Sequence, residues 1–125
     1  MIKVAIVEDD PVIREGVEEY LDSQEDVCCI AARESVELFL ASLDPEALPD
    51  VILMDIGLPG MSGISGIKII AEKYPEISVI MFTVYHDPHK IFDSLCAGAS
   101  GYLLKNTPLA DIHEAIRIIN AGGSF

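Results

Sequence analysis

The chain has 125 residues, half of them hydrophobic, with 8 Lys plus Arg against 21 Asp plus Glu and a formal charge of -13. That is one domain's length, enough to bury about two-thirds of the unfolded surface, which excludes a disordered tail. A surface this acidic repels nucleic acid, so direct DNA binding by this segment is excluded, whereas a divalent cation or a basic partner suits it.

No apolar run approaches the roughly 18 residues of a membrane span, and no signal peptide opens the chain, so the expected compartment is the cytoplasm. Cys28 and Cys29 are adjacent and Cys96 is remote. That spacing fits no disulfide framework and predicts three small buried hydrophobes in a reducing compartment.

Val4-Ala5-Ile6-Val7 predicts a first strand, followed at once by Glu8-Asp9-Asp10. Pro11 opens a helix with Asp10 as its N-cap, and Ile13, Val17, Tyr20 and Leu21 recur at helical spacing. Val27 to Ala32 predicts strand two. Val36, Phe39, Leu40 and Leu43 mark a second helix capped by Ser35, and the two prolines of Asp44–Pro49 mark a loop.

Val51-Ile52-Leu53-Met54 is a short apolar run that ends in Asp55, with Gly57, Pro59 and Gly60 just beyond. Such a run bounded by breakers predicts a strand buried on both faces, with Asp55 at its exposed end. Ile64, Ile67, Ile70, Ala71 and Tyr74 mark a third helix that Pro75 helps to end. Val79 to Phe82 predicts strand four, stopping at Thr83. Asp87-Pro88 starts a helix that runs through Ile91, Phe92 and Leu95 to Gly98. Gly101 to Leu104 predicts strand five, ending in Lys105. Thr107-Pro108 opens the last helix, with Leu109, Ile112, Ile116 and Ile119 facing inward, and Gly122-Gly123-Ser124-Phe125 closes the chain.

Strands alternating with helices predict an α/β fold, a doubly wound five-stranded parallel sheet with helices on both faces. The common order for five such units is 2-1-3-4-5, with its switch point between strands one and three. Ligands in these sheets bind outside the carboxyl ends of the strands, and those ends are Glu8 and Asp9, Asp55, Thr83 and Lys105. Three converging carboxylates repel, and a divalent cation removes the penalty. An all-oxygen ligand set without His or Cys suits Mg²⁺ better than zinc. Asp55 is then an oxygen nucleophile beside a cation, a lysine and a hydroxyl, the parts that phosphoryl transfer needs. The simpler alternative is a Lys105–Asp55 salt bridge without chemistry.

Val-Glu-Asp-Asp-Pro at 7–11, Met-Asp-Ile-Gly-Leu-Pro-Gly-Met-Ser-Gly at 54–63, Phe-Thr at 82–83 and Gly-Tyr-Leu-Leu-Lys at 101–105 together resemble the receiver (CheY-like) domain of two-component response regulators. The resemblance covers essentially the whole chain. Leu-Leu-Lys-Asn and the late Ala-Gly-Gly-Ser are most similar to the NarL/FixJ subgroup, in which a C-terminal helix-turn-helix DNA-binding domain follows the receiver. It implies a phosphorylation-dependent signalling switch that controls transcription, not an enzyme, though it would take phosphate from small donors and lose it again by itself.

Residue by residue, the resemblance makes Asp55 the acceptor of a phosphoryl group from a sensor histidine kinase. It makes Asp9 the direct Mg²⁺ ligand, with Glu8 acting through water and the Gly57 carbonyl beside Asp9 and Asp55. Lys105 and Thr83 would contact the phosphoryl group, and Tyr102 would be the aromatic switch. The implied partners are the kinase and a second copy on phosphorylation, with DNA reached only through a domain beyond Phe125.

Two features depart from the pattern. Asn106 stands where many receivers have proline, which predicts a trans bond after Lys105. Gly57 and Tyr85 occupy positions that face hydrolytic water in the family. His86, His89 and His113 are expected at the surface. An aspartyl-phosphate hydrolase would want Asp-x-Asp where this chain has Asp55-Ile56-Gly57. A flavin carrier would want a phosphate cradle where Glu8-Asp9-Asp10 would repel phosphate.

Overall fold

A computed structural model describes residues 1–123, so the end of the expected Gly122–Phe125 close lies outside the described residues. Five strands alternate with five helices: β1 (Ile2–Val7), α1 (Pro11–Asp22), β2 (Val27–Arg33), α2 (Val36–Ser42), β3 (Val51–Met54), α3 (Gly63–Lys73), β4 (Ser78–Thr83), α4 (Pro88–Ala97), β5 (Gly101–Leu104) and α5 (Leu109–Asn120). All strand pairs are parallel and the order is β2-β1-β3-β4-β5, as the alternation predicts.

Successive side chains of a strand point to opposite faces, and the sheet separates two cores accordingly. Val4, Ile6, Leu53 and Ile80 join Val17 and Leu21 of α1 and Ile112, Ile116 and Ile119 of α5 on one face. Ala5, Val7, Ile52, Met54, Val79 and Met81 join Val36 and Phe39 of α2 and Ile67 and Ile70 of α3 on the other. The four residues of β3 are buried throughout, because this central strand has a core on each side. β2 carries one extra residue against β1: Val4 pairs with Cys29 and Ala5 with Ala31, which leaves Ile30 as a bulge.

The caps follow the sequence. The Asp10 side chain accepts from Val12 and Ile13 N–H, Ser35 from Leu38 and Asp87 from His89. The last helix differs, since Pro108 stands at its N-cap and makes no side-chain cap bond. Leu109, expected to face inward, is 40% exposed there; it sits in the first turn, before the inward stripe begins at Ile112. The cysteines also differ from expectation. Cys96 is exposed on α4 and Cys28 and Cys29 are half-buried, because β2 is an edge strand and α4 covers the sheet with its other face. Burial pushes the Cys29 thiol up to about 12, so it stays protonated.

Candidate functional site

Parallel pairing brings the carboxyl ends of β1, β3, β4 and β5 to one edge, and each delivers a polar residue there. Oxygens of Glu8, Asp9 and Asp55 lie within 4.8 Å of one another. Two like charges at that distance repel by about 3 kcal/mol at an effective dielectric near 20. Lys105 answers part of this: its Nζ lies 2.5 Å from Glu8 Oε1 and 2.8 Å from Asp55 Oδ2. Burial raises the Glu8 carboxyl above its ordinary value, against the pull of Lys105 and the Asp10 N–H. Burial also works to lower Lys105, but its hydrogen bonds to Asp55 and Glu8 outweigh that and keep it charged.

Asp55 is less accessible than a strand end leads one to expect, at 5% exposure, and Glu8 is at 1%. The reason lies in the loop that follows. Ile56 and Leu58 are buried and turn it back onto the core, and the Gly63 N–H donates to the Ile56 carbonyl at 3.0 Å. Gly63 opens α3 so close to this bend that a Cβ there would collide with the Asp55 carbonyl. Asp9 remains exposed and is the open side of the group.

The remaining expected residues gather around this centre. Thr83 ends β4 fully buried, and its Oγ1 has no hydrogen-bond partner among the described residues. Tyr102, on β5, is half-buried and packs against the α2–α3 core, its hydroxyl bonded to the Tyr85 carbonyl. Gly57 is exposed, and its N–H donates to Asp55 Oδ1 at 3.4 Å. Gly57 and Tyr85, both noted in the sequence, meet here: a Cβ on Gly57 would lie 3.2 Å from Tyr85 Oη, so the ring covers the place a side chain would take. Lys90 stands 4.9 Å from the centroid of that ring. No peptide bond is cis among the described residues, Lys105–Asn106 included.

Two participants escaped the sequence reading. Arg14 Nη1 donates to the Glu8 carbonyl at 2.8 Å and reaches that of Asp9 at 3.4 Å, which fixes the acidic pair from α1. Arg14 is the arginine one turn into the capped helix; that spacing was its only signal. The Glu37 carboxylate accepts from the Met61 N–H at 3.0 Å, a contact across 24 residues with no local signature. The histidines lie away from the centre. His86 and His89 are exposed as expected, whereas His113 is largely buried and pairs through Nε2 with Asp26 at 2.7 Å.

The donor set fits a hard divalent cation: carboxylate oxygens only, one member open to water, and a charge excess that Lys105 offsets only in part. The unpartnered Thr83 hydroxyl and the Lys105 ammonium are the groups that an incoming anion would find.

The comparisons with known proteins agree with this geometry. The response regulator receiver domain model matches residues 4–117. The chain is 38% identical over 124 residues to the transcriptional regulatory protein LnrK of Bacillus subtilis, a match that covers 98% of this chain and 56% of that protein. The structure of a LuxR-family two-component response regulator from Aurantimonas is similar at a TM-score of 0.87 and 28% identity, over 98% of this chain and 86% of that one. The isolated REC domain of RcsB from Salmonella enterica serovar Typhimurium, solved with the phosphomimetic BeF3-, is similar at 0.89 and 26%, over 99% and 91%. The chain spans a little over half the length of the curated relatives it matches.

Proposed function

Because this chain belongs to the response regulator receiver domain family, we propose that it is a switch that takes a phosphoryl group from the phosphohistidine of a sensor kinase onto Asp55. The observation that carries the reading is the convergence of Glu8, Asp9 and Asp55 with Lys105 at one sheet edge. Glu8, Asp9, Asp55 and the Gly57 carbonyl would hold Mg²⁺. Bound there, it would neutralise charge on the transferring oxygens.

Everything else is the work of the chain's own residues. An Asp55 carboxylate oxygen attacks phosphorus as the phosphorus–nitrogen bond to the donor imidazole breaks, and the imidazole leaves with the electron pair and takes up a proton. The ion pairs to Glu8 and Asp55 already hold the Lys105 ammonium at this point, so it can turn to a phosphoryl oxygen without crossing the site. Thr83, whose hydroxyl has no other bond to give up among the described residues, donates to another. Phosphate would favour one of two arrangements through these contacts, and Tyr102 would pass the difference to the surface of α4, β5 and α5.

The output is transcription control, through a second copy and a DNA-binding domain that follows the receiver. Support comes from relatives nearly twice as long that are transcriptional regulators by name, and from a charge of -13 that would repel DNA from this domain. No helix of the described residues is long and apolar enough to cross a membrane, and we place the switch in the cytoplasm, where three free thiols stay reduced.

Intact-mass measurement after adding a small phosphodonor, with and without Mg²⁺, tests the reading. One phosphoryl group is expected, only with Mg²⁺, and none on Asp55→Asn. Full Mg²⁺-dependent labelling of that variant would overturn the assignment.

A further inference from the structure

Lys105 holds two of the three carboxylates directly: its ammonium pairs with Glu8 and Asp55, not with Asp9. Asp9 is the exposed member of the group, so the direction of its carboxylate depends on its own backbone. That backbone is where Arg14 acts.

Arg14 is the fourth residue of α1, and a cation so near a helix N-terminus opposes the partial positive charge there. Asp10 and Glu18 lie four residues to either side, at the spacing of helical ion pairs, yet Arg14 pairs with neither among the described residues. Its Nη1 instead donates to the Glu8 carbonyl at 2.8 Å and reaches the Asp9 carbonyl at 3.4 Å.

Those two carbonyls belong to the two peptide units that meet at the Asp9 α-carbon. Each unit is planar, so only φ and ψ of Asp9 are free between them, and these set where its Cβ points. The second unit is also held at its other edge, where the Asp10 N–H donates to Glu8 Oε2 at 3.0 Å. One guanidinium nitrogen thus bridges both sides of the residue whose carboxylate nothing else directs.

We infer that Arg14 is a positioning residue for divalent-cation binding: it pins both peptide units and so aims the Asp9 carboxylate at the oxygens of Glu8 and Asp55. This rests on the functional reading above, in which Asp9 is a ligand. Charge alone would act with the opposite sign, since a guanidinium beside the site repels an arriving cation. The direction of the effect therefore separates positioning from electrostatics.

The test is Mg²⁺ titration by calorimetry on the whole chain as wild type, Arg14→Met and Arg14→Lys. The three-bond HN–Hα coupling of Asp9, which reports φ, is measured on each without Mg²⁺. Arg14→Met keeps the aliphatic stem and no donor. It is expected to weaken Mg²⁺ by about ten-fold, the lower end for groups that orient a metal ligand, and to move the Asp9 coupling toward that of a freely averaging turn. Arg14→Lys keeps a donor on a stem of similar length and should recover most of both.

Mg²⁺ binding by Arg14→Met as tight as wild type, or tighter, would overturn the inference. So would a loss of affinity with the Asp9 coupling unchanged, or with no recovery in Arg14→Lys. Each of these outcomes leaves the functional reading intact. A wild-type chain that binds no Mg²⁺ overturns that reading and this inference with it.

Discussion

The hydroxyl of Tyr102 donates to the backbone carbonyl of Tyr85 at 2.6 Å. Burial, and then the nearby Asp55 and Asp87 carboxylates, raise the phenol above its ordinary value, so it remains a donor. Two residues before Tyr85 stands Thr83, with a buried hydroxyl that has no partner among the described residues. The segment from 83 to 85 is thus held by Tyr102 at one end, while the other end has an unused donor.

That unused donor costs stability in the unmodified protein. Thr83→Val keeps the shape and removes the unsatisfied group, so it should stabilise the fold by about 1 kcal/mol. Urea unfolding without Mg²⁺ or phosphodonor measures this. A loss of stability would show that the hydroxyl is already satisfied.

In the modified protein the same hydroxyl should link the phosphoryl group to Tyr102. Thr83→Ala is expected to accept phosphate at Asp55 while the NMR signals of Gly101–Leu104 no longer respond. Equal responses in wild type and variant would break the proposed link.

Lys105→Met should destabilise the ion-free fold by about 3–5 kcal/mol at neutral pH, because it leaves the buried Glu8 and Asp55 facing each other without a counter-charge. The pH dependence follows from Glu8. Its folded-state value is already raised above 4.5, and further so without Lys105. Such a group's contribution is fully present below 4.5 and is lost as pH rises through the folded value. The deficit of the variant should therefore shrink toward pH 4.5, and added Mg²⁺ should reduce it at pH 7. Melting curves across that range decide.

Asp26 gives the opposite sign. Its hydrogen bond from His113 holds it below its usual 3.8, so the stability it adds is present above 3.8 and lost as pH falls through the lower folded value. Asp26→Asn should flatten the acid limb of the stability curve, and His113→Gln should flatten it equally. A limb unchanged in both variants would show that the pair contributes nothing.

The sequence carried the fold because the strands are short apolar runs and the first four helices have their own side-chain caps, as at Asp10, Ser35 and Asp87. The strand order and the meeting of Glu8, Asp9, Asp55 and Lys105 then followed from topology. What stayed hidden depends on depth or on long-range contact. Asp55 looked like an exposed strand end until Ile56 and Leu58 turned the chain inward over it. Cys96 looked like core because nothing local says which face of α4 meets the sheet. Tyr85 over Gly57 joins residues 28 positions apart, and Glu37 to Met61 spans 24. No periodicity marks either.

The bulge at Ile30 has a bearing on how the molecule behaves at high concentration. β2 is a free edge of seven residues, uncharged until Arg33, the kind of template on which cross-β growth starts. The extra residue bends it out of register, and the Asp22 carboxylate already occupies the Cys29 N–H at 2.7 Å. A foreign strand would meet a kinked, partly occupied ladder guarded by a negative charge. The domain can therefore keep this sheet margin uncovered and still resist fibril seeding along it, which leaves the helical faces and the opposite, β5 side as the surfaces on which specific assembly can evolve.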